Sequence, residues 1–105
     1  MTDIVSNQFK MSGASFVGND EHGNPFKIRA ETGYQTYEAP DIIYLTSVSG
    51  NRVRTDDNGT RITEDIRADS GEYNRAAKKI ELYGNVRVNS SDGNNAMAKK
   101  MVIKL

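Results

Sequence analysis

Apolar side chains fall on even-numbered positions through most of this chain, in short runs: Ala14 and Phe16; Phe26, Ile28 and Ala30; Ile42, Tyr44 and Val48; Ile62, Ile66 and Ala68; Ile80, Leu82, Val86 and Val88. A period of two puts one set of side chains on one face of a strand, so each run predicts a β-strand with a single buried face. Between the runs lie turn residues. Asp56, Asp57, Asn58 and Gly59 predict a hairpin with a type I′ turn, because Asn followed by Gly accepts the two positive φ values that turn needs, and Ser91, Asp92 and Gly93 predict a second hairpin. After Ala68 the next large apolar residue is the odd-numbered Tyr73, so Asp69, Ser70 and Gly71 read as a corner or bulge, with Gly71 letting the strand bend. Residues 75–82 contain helix formers, but the segment is short and reads as a loop entering a strand.

The runs are copies of one another. Residues 28–50 and 66–88 align without a gap at an offset of 38, with Ile28, Arg29, Ala30, Gly33, Ala39, Ile42 and Val48 falling on Ile66, Arg67, Ala68, Gly71, Ala77, Ile80 and Val86. Chance would supply about one or two such matches, and a unit of strand, corner and strand cannot bury its apolar face alone, so the copies are expected to share a core. Ala96, Ala98, Met101 and Ile103 fall on Ile66, Ala68, Gly71 and Tyr73 and begin a third unit, which stops at Leu105 without its second strand. The expected fold class is all-β, a stack of repeated strand-corner-strand units of antiparallel strands, and the chain is either truncated at its C-terminal end or uses its open edge for assembly. An unpaired final strand would offer its edge for assembly with another chain.

Composition narrows the function. The nine Gly are scattered at turn positions and the mean hydropathy of -0.67 is low, which suits many short strands and a thin core. The 14 basic and 14 acidic side chains cancel, leaving no long-range field to gather nucleic acid. Residues 51–105 are net basic, and Arg52, Arg54, Arg87, Lys99 and Lys100 could form a rim for phosphorylated head groups or simply a solvated face. The absence of Cys excludes disulfides and thiolate catalysis, and the single His22 sits in a polar stretch that a turn explains. The carboxylates around it lack the ligand spacing of an EF-hand, no nucleophile stands beside a base, and nothing points to a metal or cofactor. No run approaches the ~18 apolar residues of a membrane-spanning helix, and no signal peptide precedes Thr2 and Asp3.

Two longer runs carry a family resemblance. Ile66 to Tyr73 (Ile-Arg-Ala-Asp-Ser-Gly-Glu-Tyr) followed by Ile80 to Val86 resembles the strand repeat of the lipopolysaccharide transport proteins. Phe16 to Ala30 resembles the opening of the LptC family, the bitopic inner-membrane component of that export system, while the second run alone would also suit the soluble bridging subunit LptA. The similarity covers about residues 8–105. It implies a non-enzymatic, open and twisted β-jellyroll of antiparallel strands, a single domain over residues 1–105 ordered from about residue 8, lying in the periplasm, whose apolar groove receives the acyl chains of lipopolysaccharide from the inner-membrane transporter complex and passes them to LptA. It also implies an N-terminal membrane anchor and further C-terminal strands, neither of which this sequence contains.

On that reading the groove is expected to be lined by Phe16, Ile28, Ile42, Tyr44, Ile66, Ile80, Leu82, Tyr83 and Val86. Tyr44 and Tyr83 would suit a mouth where lipid meets head group, since a buried Tyr needs a partner for its hydroxyl. Strict alternation would put those two on opposite faces unless Gly84 introduces a bulge. The same side chains could instead fill a dry sandwich, the core of an interaction or adhesin module that binds through its loops.

Overall fold

The computed structural model describes residues 2–5 and 8–105, with side chains from Phe9 onward; the opening Met1 lies outside the described residues. Seven antiparallel strands follow one another in a single open sheet: β1 (Thr2–Val5), β2 (Gln8–Asn19), β3 (Pro25–Thr36), β4 (Ile42–Thr55), β5 (Arg61–Asn74), β6 (Lys79–Ser90) and β7 (Asn95–Lys104). Each strand pairs with its neighbours in sequence, and no helix occurs among the described residues. The molecule is elongated, 51 × 24 × 23 Å. It is the all-β fold that the alternating runs predict, and its single open sheet is consistent with the jellyroll that the resemblance implies.

A sheet of such long strands buries both halves of its apolar face by folding over, and the fold line is visible in the ladder. One pairing is missing on every strand from β2 to β7, at Gly13, Glu31, Ser47, Asp69, Gly84 with Asn85, and Lys99. Several of these residues have left-handed backbone: Gly13 at φ 75°, Ser47 at 51°, Gly84 at 76° and Asn85 at 47°. Crossing the line changes the parity of burial. In β4 the buried residues are Ile43 and Leu45 before it and Val48 after it; in β5 they are Ile66 and Ala68 before it and Gly71 after it.

The bend divides the strands into two layers. The first ends at the turns 20–24, 56–60 and 90–94, and the second at the turns 37–41 and 75–78. Phe16 of the first layer meets Tyr73 of the second edge to face, with ring centroids 5.0 Å apart. The backbone N–H of Glu21, in the first turn, donates to the carbonyl of Lys104 at the end of β7 (2.8 Å), so the sheet closes on one side. One core lies between the layers, and Ile28, Leu45, Ile66, Ile80, Leu82, Val86 and Ile103 are its fully buried members. Each contributes about 1.5–3 kcal/mol by burial.

Two expectations need correction. The gapless repeat slips by one residue in its second strand: Gly71 pairs with Leu45 on one side and Leu82 on the other, and Tyr73 with Ile43 and Ile80. The structural counterpart of Ile80 is therefore Ile43 and that of Leu82 is Leu45, because β6 carries one extra residue at Gly84 and Asn85 that β4 lacks. Ile42 and Tyr44 consequently face outward. Gly71 is also not the bend itself, which falls at Asp69; a side chain at Gly71 would come within 3.0 Å of Leu82 Cδ2 and 3.6 Å of Val48 Cγ2. Its role is to leave room for Leu82 and for the Glu81 carbonyl oxygen, also 3.0 Å away.

The turns form where the sequence places them but with a different geometry. In each of 20–24, 56–60 and 90–94 the fourth residue, Gly23, Gly59 or Gly93, donates its N–H to the carbonyl three residues back, and only that Gly has positive φ. A type I turn closed by a left-handed Gly replaces the type I′ turn. The third unit takes its expected place, with Ala98 opposite Val86, Met101 opposite Leu82 and Ile103 opposite Ile80.

Candidate functional site

Pairing across the sheet lines the inner side chains up in rows. In the first layer one row runs Phe16, Ile28, Gly50, Ile66, Val88, Ala96 from β2 to β7. Burial falls off along it. Ile28 and Ile66 are 0% exposed, Val88 is half-buried and Ala96 is exposed. The neighbouring row ends in the same way, with Val86 buried and Ala98 exposed. The layers thus stay packed together through β6 and at the far end of β7, where Ile103 is buried, and separate only over the first-layer half of β7.

The separation leaves an apolar cleft of about 240 Å³ whose floor is Val86, Val88, Ala96, Ala98 and Met101. Pockets that enclose a whole small molecule hold roughly 300–1,000 Å³, so this cleft has room for only part of one. Both rims are charged. At the turn end Glu64 is buried and accepts from Arg52 Nε at 2.8 Å and lies 3.5 Å from Arg54 Nε. Arg52 also reaches Asp20, 3.5 Å away, and Arg54 reaches Asp92 at 3.9 Å. Burial opposes ionisation of Asp20, but N–H donors from Asn24 and His22 and the Arg52 charge outweigh it and hold its carboxyl below the usual range. At the opposite rim lies Lys100, whose ammonium turns to the outer face and pairs there with Glu81 at 3.3 Å.

The predicted lining residues divide into three groups. Ile28, Ile66, Ile80 and Leu82 are sealed in the core and touch no open space. Phe16 packs against the core edge, and Val86 is buried beneath the cleft. Ile42, Tyr44 and Tyr83 are on the outer face, and their assignment to the groove is corrected. Tyr44 stacks on Tyr34 at 5.0 Å, and the Tyr83 hydroxyl donates to Glu81. The bulge at Gly84 thus does put the two tyrosines on the same face, but it is the outside. Lys79, donating to Glu81 at 2.6 Å, and then Tyr83 bring the Glu81 carboxyl down to about 2, and this bond and burial push the phenol above its usual range.

The five-residue basic rim does not assemble. Arg52, Arg54 and Lys100 are each committed to carboxylates, and Arg87 lies on the outer face. Sequence reasoning missed Ala96, Ala98 and Met101 as lining residues although it placed all three in register. The missing signal was that the second layer does not extend over the first-layer half of β7. His22 occupies the first turn, where its N–H caps Asp20 Oδ1 at 3.0 Å.

The family model described as "Lipopolysaccharide-assembly, LptC-related" matches residues 3–104. The chain belongs to the LptC family. No curated protein matches it. Membership places this LptC-family chain among lipopolysaccharide transport components and accords with its single all-β sheet. No helix among its described residues is long and apolar enough to cross a membrane.

Proposed function

We propose that this LptC-family chain is a non-enzymatic lipid-transfer module of lipopolysaccharide export, acting in the periplasm beside the inner membrane. The cleft at β7 receives the end of an acyl chain. The observation that carries the reading is the burial gradient from Ile66 through Val88 to Ala96: an apolar row continues past the point where its cover ends. Water on such a surface is displaced favourably by hydrocarbon, while the ion pairs of Glu64 and Lys100 stay at the rims. The outer edge of β7 carries backbone groups that a strand from a neighbouring jellyroll, LptA or the transporter complex, would satisfy, extending the row.

Photo-crosslinking groups placed singly at Val88, Ala98, Tyr44 and Glu81 test it. Capture of lipopolysaccharide from Val88 and Ala98 but not from the outward Tyr44 and Glu81 is expected; equal capture at all four removes the cleft from consideration. The sealed side chains of Ile28, Ile66, Ile80 and Leu82 favour a second reading, a dry-core interaction module, for β3 to β6. An acyl-chain fluorophore whose emission ignores the protein would select it.

A further inference from the structure

We infer that the outer face of the first layer holds a site for a phosphorylated saccharide, built on Arg29, Arg67 and Arg87. The ladder sets these three in a single cross-strand row, Ser15, Arg29, Ser49, Arg67, Arg87, Met97, on the side of the sheet opposite the core. Arg67 and Arg87 are directly paired, an arrangement in which like charges repel. The charge is not relieved within the molecule. Arg52, Arg54, Lys79 and Lys100 each reach a carboxylate, whereas Arg29, Arg67 and Arg87 take part in no ion pair or side-chain hydrogen bond among the described residues. All three are exposed.

The row lies along two adjoining hollows. The larger, about 670 Å³, is bordered by Arg67 and Arg87 with Ser47, Ser49 and Asn85; the smaller, about 330 Å³, shares Ser49 and Arg67 and extends to Lys27, Arg29 and Asn51. Their cationic residues are four, against two carboxylates, Asp65 and Asp69, and Asp69 already accepts from Asn85 Nδ2 at 2.8 Å. Guanidinium forks match the oxygens of a phosphate dianion, and a doubly charged group between Arg67 and Arg87 removes their repulsion. The hollow is larger than a lone phosphate requires, and its serine hydroxyls and asparagine amides are the partners that sugar hydroxyls use. Both observations favour a phosphate monoester on a sugar. This site lies on the face opposite the floor of the cleft, and the two approach each other only at Met97 on the edge strand.

The test is a titration of the whole chain, labelled to resolve its arginine Nε–H resonances, with glucose 6-phosphate, glucose, inorganic phosphate and phosphatidylglycerol vesicles. Saturable shifts confined to Arg29, Arg67 and Arg87 are expected with the sugar phosphate, weaker ones with phosphate and none with glucose. Arg67→Gln and Arg87→Gln should each weaken binding roughly tenfold. Folding is not at risk in these variants, since each removes a repulsion, and their melting temperatures should be unchanged or higher. Absence of saturation, or equal shifts at Arg61 and Arg75, overturns the site. Vesicle binding that depends on the three arginines without any response to sugar phosphate also overturns it, in favour of a bilayer surface.

Discussion

Gly50 lies mid-strand in β4, paired with Ile28 on one side and Ile66 on the other, and its backbone conformation is an ordinary extended one. On propensity alone Gly50→Ala should stabilise, by about 0.5–1 kcal/mol through the unfolded chain and up to ~0.8 kcal/mol for the buried methyl. The packing says the opposite. A Cβ there would sit 2.4 Å from the carbonyl oxygen of Lys27 and 2.7 Å from Ile28 Cδ1. Ile28 can rotate at a cost of about 0.5–1.5 kcal/mol, but the carbonyl belongs to the neighbouring strand and can recede only if β3 and β4 separate by about 1 Å. That weakens the ladder bonds around Lys27 and Asn51, each worth about 1 kcal/mol, and loosens the contacts of a fully buried Ile28. Rotation of Ile28, two weakened ladder bonds and its loosened contacts together cost about 3–4 kcal/mol, and the offsetting gains of about 1.5 kcal/mol leave a net destabilisation of about 2 kcal/mol. For a chain of this length the melting temperature should fall by about 10 °C. Thermal denaturation followed by circular dichroism measures it, with Gly59→Ala as the control, since its Cβ would meet nothing within 4 Å and only its φ of 81° is penalised. If Gly50→Ala melts at or above the parent temperature, or loses less than Gly59→Ala, close strand approach is not what reserves this position for glycine.

Glu81→Gln should destabilise at neutral pH and progressively less in acid: the folded carboxyl is depressed to about 2 from 4.5, so its contribution is complete above pH 4.5 and fades as pH falls through 2. Urea midpoints of parent and variant that fail to converge at low pH would contradict this. Glu64→Gln leaves Arg52 with only the 3.5 Å contact to Asp20 and should cost about 2–3 kcal/mol, below the full buried-pair range because Arg52 is partly solvated; a urea titration reads it. Lys78→Gly removes a side chain at φ 54° on an exposed turn and should raise stability by about 0.5–1 kcal/mol, visible as a higher melting temperature.

The alternation of Ile28 and Ala30, of Ile66 and Ala68, and of Ile80 and Leu82 made the strands and their buried face legible, because period two is a local property of the backbone. The sheet's folding over was legible only at Asp69, where the parity of one strand changes. It was hidden at Ser47, since Ile42 and Ile43 are both isoleucine and Tyr44 and Leu45 are both large: with apolar residues on adjacent positions, composition does not say which faces in. The gapless match of Ile42 to Ile80 then reinforced the wrong choice, and Tyr44 followed it outward. The extra residue of β6 at Gly84 and Asn85 is a bulge whose effect appears only when its register against both β5 and β7 is known. The cleft was illegible for another reason. Openness depends on which residues lack a covering layer, and Ala96 and Ala98 differ from Ala30 and Ala68 in nothing but that.

Repetition with fixed register explains why two chemistries occupy the two sides of the same strands. A unit that places Ile28 and Ala30 inward necessarily places Arg29 outward, and its copy does the same with Ile66, Arg67 and Ala68, so duplicating the core duplicates the cation. β6 joins both rows because its bulge keeps Val86 inward and leaves Arg87 beside Arg67. At β7 both rows lose their character together, Ala96 standing inside in the row of Ile28, Ile66 and Val88, and Met97, 73% exposed, replacing arginine outside. A small inner residue that leaves room and an apolar outer one that does not repel are what a strand needs if another apolar surface is to pack across it. The last strand therefore carries, on both faces, the composition of a junction, whereas the strands before it carry that of a finished sheet.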